Sequence, residues 1–267
     1  MKKYGVLYEG VWFMTSSPPI WRRYEELRPD DLAACVAAAP VAFWPLGLLE
    51  HHGWHLPVGF DGIKAERLCV RIAERTGGVM LPVMWWGGIG GHGDFHWTLY
   101  HEEEAYAAIL ERTVRGLAGF GFRCVVLVAG HYPWQQTLSG QMPALQEAFP
   151  DVLMLWGTEM TVCGQAVKLK GDHAAREETS FGLALLPEFV DMAAMRPGRG
   201  DEVWPGGHAP AAEGRHPGVG FDPAAPLFAQ MGEDARTASA ARGEAAIGQV
   251  VAHLVDRIQC HLDAGGR

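Results

Sequence analysis

Residues 41–49, VAFWPLGLL, form an unbroken apolar run that leads directly into residues 50–61, EHHGWHLPVGFD. An apolar run of this length predicts a buried strand. The residues after it carry carboxylates and imidazoles on Glu50, His51, His52, His55 and Asp61. Such groups are costly to bury unpaired, and a divalent cation neutralises several of them at once. The stretch therefore predicts a metal site at the C-terminal end of a strand, where open α/β sheets bind ligands, with a solvated polar loop as the alternative.

Strand and helix patterns alternate along the rest of the chain. After the first strand, Val41–Leu49, apolar patterns predict strands at Val79–Trp86, Cys124–Ala129 and Val152–Trp156. Amphipathic patterns predict helices at Lys64–Arg75, Glu102–Leu117, Gln135–Phe149 and Thr237–Leu262. This repeated order indicates an α/β fold with a mostly parallel central sheet and helices on both faces. No repeat or linker divides the pattern, so residues 1–267 are expected to form a single α/β domain.

The composition is that of an ordinary globular chain. Hydrophobic residues make up 48% of the 267 residues and charged residues 20%, which excludes a disordered protein. The net charge of -9, with no basic block, argues against nucleic acid or an anionic membrane as a partner. No apolar run is long enough to span a membrane, and residues 1–10, MKKYGVLYEG, lack the apolar core of a signal peptide. Scattered cysteines without a CxxC pair indicate free thiols, so a cytoplasmic location is expected.

Three further segments carry reactive side chains. They are a glycine-rich loop at Gly87–Thr98, the segment Ala129–Tyr132, and Gly171–Ser180, which opens a helix. Taken singly, a histidine such as His131 is more often a structural residue than a ligand, and Glu178 is explained as a charge at a helix N-terminus. Together with the first stretch, however, most of these segments follow predicted strands and converge on one edge of the sheet. The chain has no GxSxG, GK[ST] or HExxH motif, so serine-nucleophile, phosphate-loop and HExxH zinc mechanisms have little support.

At these residues the chain resembles the creatininase (creatinine amidohydrolase) family. The family pattern of a glutamate, one residue, His-Gly-x-His-Leu-Pro and a later aspartate is matched by Glu50, His52, Gly53, His55, Leu56, Pro57 and Asp61. A Gly-His pair after a buried strand is matched by Gly130 and His131, and a later His-Ala-x-x-x-Glu-Thr-Ser by His173, Ala174, Glu178, Thr179 and Ser180. The loop with His92, Phe95 and Thr98 and the stretch Gly232–Gly243 are also similar, so the resemblance covers nearly the whole chain.

The resemblance implies a three-layer α/β/α sandwich, metal-dependent hydrolysis of a cyclic or linear amide, and a ring-like hexamer. It implies one metal ion held by Glu50, Asp61 and His131, and a second held by His52 and a bridging Asp61. The expected cofactor is a divalent metal, Zn²⁺ or Mn²⁺, with Fe²⁺ also suited to these ligands, at one or two ions per chain. A metal-activated water would attack the amide carbon, and His173 would exchange a proton with the departing nitrogen.

The chain departs from the family pattern in three places. Pro133 stands where creatininase has a glutamate that completes the second metal site, and Glu178 is assigned as its replacement and as a catalytic residue beside His173. The usual Asn-Gly-His-Gly-Gly-Asn is AGHYPW at residues 129–134, and the usual Phe-Pro-Gly-Thr is FHWT at residues 95–98. Because these changes fall in the expected pocket, the chain is identified as a family member but not as creatininase itself. The residues expected to bind substrate are His92, His96, Trp97, Tyr132 and Trp134.

The residues and the resemblance together predict an amidohydrolase that cleaves a C–N bond of a small, non-peptide cyclic amide or formamide. The alternative is a catalytically weakened member that binds a metabolite or scaffolds a biosynthetic complex, which Pro133 and Trp134 motivate. Trp97 or Trp134 is expected to line the pocket and stack on a flat substrate. The Gly- and Pro-rich loop Arg196–Phe228 carries apolar side chains, so it is expected to pack at a subunit interface of a homo-oligomer, near an active site.

Overall fold

Residues Val41–Leu46 are all buried, because this strand runs through the middle of a parallel sheet. The computed structural model describes residues 6–8, 11–13, 19–88, 90–200 and 203–265. Its strands are β1 (Val6–Tyr8), β2 (Val11–Phe13), β3 (Trp21–Arg23), β4 (Val41–Leu46), β5 (Gly78–Met80), β6 (Cys124–Ala129) and β7 (Leu153–Thr158). Within the described residues, five strands form a parallel sheet in the order β3–β5–β4–β6–β7, and β1 pairs with β2 in a separate antiparallel sheet.

Alternate residues of the central strands pack against helices on opposite faces of the sheet. The helices are α1 (Pro29–Ala38), α2 (Phe60–Thr76), α3 (Glu103–Gly119), α4 (Trp134–Ala148), α5 (Arg176–Leu185) and α6 (Ala240–Ala264). Phe43 and Val126 belong to the core beneath α2, α5 and α6. Trp44 and Leu127 belong to the core beneath α3 and α4. Since side chains alternate between the two faces of a strand, this confirms the predicted three-layer α/β/α fold with a parallel central sheet.

The strand predicted at Val79–Trp86 is shorter in the structure. It ends with β5 at Met80, and after it the described chain makes a parallel bridge from Met84 to Leu46. Pro82 lies between the two and has no N–H to donate, which interrupts the hydrogen-bond ladder. The sequence patterns also missed β3 and α1, which precede the first buried strand.

The helices begin a few residues away from their predicted positions. Helix α6 begins at Ala240 rather than Thr237, because the Ser239 hydroxyl accepts a hydrogen bond from a backbone N–H of the first turn. Helix α2 begins at Phe60 instead of Lys64, so Asp61 lies in its first turn. No helix in the described part of the chain is both long and apolar enough to cross a membrane. The early start of α2 matters most, because it carries a predicted metal ligand to the end of the sheet.

Candidate metal centre

The C-terminal ends of β4 and β6 place two of the predicted metal ligands side by side. Leu46 and Ala129, the last residues of these strands, are partners in the sheet. The chain continues from them to Glu50 and His131, and the Glu50 Oε2 atom lies 3.0 Å from His131 Nδ1. Both side chains are almost completely buried. The edge of the sheet therefore brings together a carboxylate and an imidazole that are far apart in the sequence.

Asp61 joins this pair from the first turn of α2. Its Oδ2 atom lies 3.3 Å from His131 Nδ1. The approach depends on Gly130, because a Cβ atom there would collide with the backbone carbonyl oxygen of Asp61. Glu50, Asp61 and His131, here named the first donor group, each offer an atom within 4.8 Å of the other two. One ion with bonds of about 2 Å can span such a spacing.

A second donor group, His52, His173 and Glu178, lies beside the first. The His52 Nε2 atom is 3.1 Å from Asp61 Oδ1 and 3.7 Å from Glu178 Oε2. The three members again offer atoms within 4.8 Å of one another. Asp172 holds Glu178 in place, since its carboxylate accepts hydrogen bonds from the N–H groups of residues 177 and 178 at the start of α5. Asp61 therefore lies between two sets of donors.

Four imidazoles of the site are each anchored through one ring nitrogen. A backbone carbonyl only accepts hydrogen bonds, so the ring nitrogen that faces it carries the proton. The other nitrogen then faces the carboxylates, and it would offer its lone pair to an ion bound there, which is how metal-binding histidines are oriented. The anchoring pairs are His52 with the Glu50 carbonyl at 3.0 Å, His92 with Ala229 at 3.0 Å, His131 with Gly88 at 3.1 Å and His173 with His51 at 2.9 Å.

The buried carboxylates shift the ionisation of two of these imidazoles in the metal-free protein. Burial alone would lower the pKa of His52, but the Asp61 carboxylate outweighs it and raises that pKa to about 9. Burial is likewise outweighed at His131, whose pKa the Glu50 and Asp61 carboxylates raise to about 10. Burial would raise the pKa of Asp61, yet the two imidazoles hold it well below its ordinary value. The carboxylates thus attract positive charge, which protons supply until a metal ion displaces them.

The chemistry of the donors fits a divalent cation. His52 Nε2 and Asp61 Oδ2 are buried and have no hydrogen-bond partner of good geometry among the described residues. Buried polar atoms without partners cost stability, and a coordinated ion would satisfy both. A mixture of carboxylate oxygens and imidazole nitrogens suits Zn²⁺, Mn²⁺ or Fe²⁺. The residues present are therefore able to hold such an ion.

Sequence reasoning missed a buried lysine and a buried glutamate behind Glu178. The Lys64 Nζ atom lies 2.7 Å from Glu178 Oε1 and 3.0 Å from Glu159 Oε1. Burial would lower the pKa of Lys64, but these carboxylates raise it, so the side chain is an ammonium. The Tyr132 hydroxyl donates to Glu159 Oε1 at 2.9 Å. Glu159 directly follows β7 at the same sheet edge as the other carboxylates, and that position is the signal that could have found it.

A cavity of about 300 Å³ opens beside the two donor groups. Two predicted substrate-binding residues line it: Tyr132, and His92, whose Nδ1 atom lies 3.6 Å from Glu50 Oε1. Tyr100, which sequence reasoning missed, donates a hydrogen bond to the same oxygen at 3.1 Å. This hydrogen bond fixes the orientation of the Glu50 carboxylate. The cavity is also lined by Asp61, His131, Pro133, His173, Glu178, His216 and Met231.

Three predicted substrate-binding residues lie away from this cavity. Trp134 is buried in the core, where its Nε1–H donates to the Gly47 carbonyl at 3.0 Å and its ring packs on Tyr106. Trp97 is 71% exposed, and both it and His96 lie at the wall of a separate cavity. The structure thus corrects the prediction for Trp134, whereas Trp97 lines its cavity together with His52, so that its stacking on a substrate stays a prediction. The first turn of α4 turns Trp134 into the core, and Trp97 faces solvent.

The described part of the loop Arg196–Phe228 packs over the cavity of its own chain. Trp204 and Phe228 form an apolar cluster with Phe95, whose ring centroid lies 5.1 Å from the Trp204 ring and 5.2 Å from the Phe228 ring. His216, from the same loop, lines the cavity. The loop therefore covers the site within one chain, and its predicted place at a subunit interface stays a prediction.

The sequence of this chain is similar to those of several known hydrolases. The sequence model of the family described as creatininase, creatinine amidohydrolase, matches residues 25–258. Creatinine amidohydrolase of Pseudomonas putida is 28% identical over 260 residues, which cover 90% of this chain and 94% of that protein. Mycofactocin precursor peptide peptidase of Mycolicibacterium smegmatis is 29% identical over 232 residues, 82% of this chain and 85% of that protein. The 3-dehydro-scyllo-inosose hydrolase of Thermotoga maritima is 26% identical over 203 residues, 68% of this chain and 58% of that protein.

Solved structures of creatininase share the fold. The structure named creatininase Mn aligns with a TM-score of 0.66 at 25% identity and covers 89% of this chain and 97% of its own. A mutant creatininase of the Zn-Zn type aligns with a TM-score of 0.65 at 26% identity and covers 89% of this chain and 96% of its own. The match over residues 25–258 and the shared fold show that this chain belongs to the creatininase family, as a member distinct from creatininase itself.

Proposed function

We propose that this chain is an amidohydrolase that cleaves a C–N bond of a small cyclic amide or formamide. Family membership, relatives named as hydrolases and the buried donors indicate a metal-dependent hydrolase. The observation that carries the proposal is the first donor group, whose atoms lie within 4.8 Å of one another beside a cavity. Creatininase structures named for Mn and for Zn support a divalent metal as the cofactor.

In this proposal Glu50, Asp61 and His131 hold the ion, and His52 and Glu178 lie beside it in the second donor group. A bound Zn²⁺ or Mn²⁺ would polarise the amide carbonyl and lower the pKa of a water molecule. The protein orients the metal ligands before the ion binds. Backbone carbonyls orient the imidazoles, and the Tyr100 hydroxyl orients the Glu50 carboxylate. Ligands fixed in this way need little rearrangement when the reaction begins.

His173 is proposed to move the proton. Its Nε2–H donates to the His51 carbonyl at 2.9 Å, and its Nδ1 atom lies 4.0 Å from Glu50 Oε2 at the cavity wall. Burial, and then the charge of His52, lower the pKa of His173 well below its ordinary value. A neutral Nδ1 can accept a proton and pass it to the departing nitrogen. Glu178, whose pKa burial raises to about 7, is the second candidate for this transfer.

The size of the cavity supports a small substrate. Its volume of about 300 Å³ is at the lower end of the range for small-molecule sites. The covering loop closes one side through His216. A relative named as a peptide peptidase makes peptide amides the competing substrate class. A non-peptide cyclic amide is therefore the preferred substrate, and short peptides are the comparison that any screen must include.

A catalytically weakened member that binds a metabolite or scaffolds a biosynthetic complex is the second candidate function. Pro133 favours it, because this residue lines the cavity next to His131 and offers no ligand atom.

The single-domain organisation, the cytoplasmic location and the hexamer stay predictions. Light scattering tests the last of these, since a protein that elutes as a monomer is not a hexamer.

The two functions are separated by one activity screen. Protein loaded with Mn²⁺ or Zn²⁺ is assayed against cyclic amides, formamides and short peptides, next to the variants Glu50→Gln and Glu104→Gln. Glu104 is an exposed residue of α3, so its variant controls for the loss of one carboxylate. Turnover by the parent and by Glu104→Gln, with none by Glu50→Gln, is the expected result. Turnover that survives Glu50→Gln contradicts the proposed site, and a metal-loaded parent without turnover favours the binding function.

A further inference from the structure

Lys64 is a buried cation that the proposed chemistry leaves unused. Its side chain is almost completely shielded from water, with the ammonium 2.7 Å from Glu178 Oε1 and 3.0 Å from Glu159 Oε1. The rings of Tyr132 and Phe60 have their centroids 4.8 Å and 5.2 Å from the ammonium. Both contacts favour a cation, and together they enclose it. Lys64 is therefore fixed against Glu178 in the interior.

Glu178 is also the carboxylate that an ion on the second donor group would need. Its Oε2 atom lies 3.7 Å from His52 Nε2 and accepts a hydrogen bond from the Ala174 N–H at 2.9 Å. Its Oε1 atom already binds Lys64. A divalent ion on this group would bind the same carboxylate as the Lys64 ammonium. The two positive charges would repel each other strongly, because little water reaches this buried site to screen them.

The carboxylates around the second donor group favour one divalent ion over two. Asp61 and Glu178 are the carboxylates within reach of this group, and Asp61 also belongs to the first group. A second divalent ion would therefore compete with Lys64 for the negative charge of Glu178, and a buried positive charge without a carboxylate of its own is costly. Two further buried carboxylates lie nearby and already have partners: Glu159 accepts from Lys64 and Tyr132, and Asp172 accepts from the N–H groups of residues 177 and 178.

We infer that Lys64 takes the place of a second divalent ion beside Glu178, so that the site holds one ion per chain, on the first donor group. The inference rests on the proposed metal centre and goes beyond it by fixing the number of ions. It also gives the Lys64 ammonium a role that packing alone does not require. Removing that ammonium should open the second donor group to an ion.

Metal stoichiometry tests the inference without any substrate. Protein stripped by a chelator is reloaded with excess Zn²⁺ or Mn²⁺, desalted and measured by mass spectrometry of the metal, with circular dichroism as the check of folding. One ion per chain is expected for the parent, and two for Lys64→Met, which keeps the length of the side chain but not its charge. The control is Arg71→Met, which removes a cation of the same helix whose partner Glu244 is at the surface.

The electron paramagnetic resonance of the Mn²⁺-loaded proteins gives a second reading. A single isolated ion is expected in the parent and a magnetically coupled pair in Lys64→Met. Should Lys64→Met fail to fold, Glu178→Gln replaces it, and it should keep one ion because Glu178 does not ligate that ion. Two ions in the parent, one ion in a folded Lys64→Met, or loss of the ion in Glu178→Gln overturns the inference. A parent that binds no ion refutes the proposed metal centre itself, whereas two ions in the parent leave that centre standing.

Discussion

The Nε2 atom of His52 lies 3.1 Å from the Oδ1 atom of Asp61, and both side chains are almost completely buried. In the metal-free protein a proton on His52 neutralises this carboxylate, which is why the pKa of the imidazole is raised to about 9. The same holds for His131, with a pKa of about 10. Protons and a divalent ion therefore compete for the same carboxylates.

Metal binding is expected to release protons at pH 7. Both imidazoles are protonated at that pH, because it lies well below their raised pKa values, and His131 must lose its proton to donate a lone pair. The apparent association constant of Zn²⁺ should therefore rise about tenfold per pH unit for each proton released. Isothermal titration calorimetry in buffers of different ionisation enthalpy measures the number of protons released on metal binding. Heats that do not depend on the buffer would contradict the expectation.

The variant Asp61→Asn should strongly destabilise the metal-free protein. It removes the carboxylate nearest to His52 and one of the two carboxylates beside His131, and breaking a buried ion pair on one side costs about 3–5 kcal/mol. Urea unfolding in the presence of a chelator measures the loss. The control is Asp31→Asn, because Asp31 pairs with the exposed Arg28 at the surface, where such pairs contribute about 0–1 kcal/mol.

The effect of Asp61→Asn should also depend on pH. The folded pKa of His52 lies above the ordinary histidine value of about 6.5. Its contribution to stability is therefore complete below that value and is lost as the pH rises through about 9. The difference between the parent and the variant should accordingly shrink between about pH 7 and pH 9. A difference that grows with pH over this range would show that the imidazole is not charged in the folded protein.

The variant Gly130→Ala should abolish tight metal binding and destabilise the fold. A methyl group at residue 130 would collide with the backbone carbonyl of Asp61, so β6 and α2 must move apart and carry two members of the first donor group with them. Overpacking of this kind costs about 1–3 kcal/mol. Chelator-competition and urea unfolding measure the two effects. Gly140→Ala is the matched control, because a methyl there on α4 meets nothing within 4 Å and should be neutral or slightly stabilising. Equal behaviour of the two variants would mean that the close approach is not needed.

The parts of the site that follow strands could be predicted from the sequence. Glu50 and His131 come directly after apolar runs, and parallel strands end at one edge of a sheet, so their meeting follows from the order of strands alone. The position of Asp61 could not be predicted from the strands, because it depends on where α2 begins. The family pattern identified Asp61 as a ligand, whereas hydrophobic periodicity predicted that the helix begins at Lys64 and not at Phe60.

The parts that depend on side-chain direction could not be predicted. Lys64 is read from the sequence as the polar face of an amphipathic helix, since lysine is almost never fully buried unless it is paired. Its partners, Glu159 and Glu178, come from segments 95 and 114 residues away along the chain. A tryptophan next to a ligand pattern is equally ambiguous: periodicity gives no sign of whether Trp134 points to the pocket or to the core.

The position of Trp134 gives the last prediction. Its indole N–H donates to the Gly47 carbonyl, just beyond the end of β4, so Trp134→Phe leaves a buried acceptor unpaired. A loss of about 1–3 kcal/mol in unfolding free energy is expected, with little change in KM for any substrate found. Trp97→Phe, at an exposed residue, should change stability by less than about 0.5 kcal/mol. A raised KM in Trp134→Phe at unchanged stability would instead place this indole in the pocket, against the packing described above.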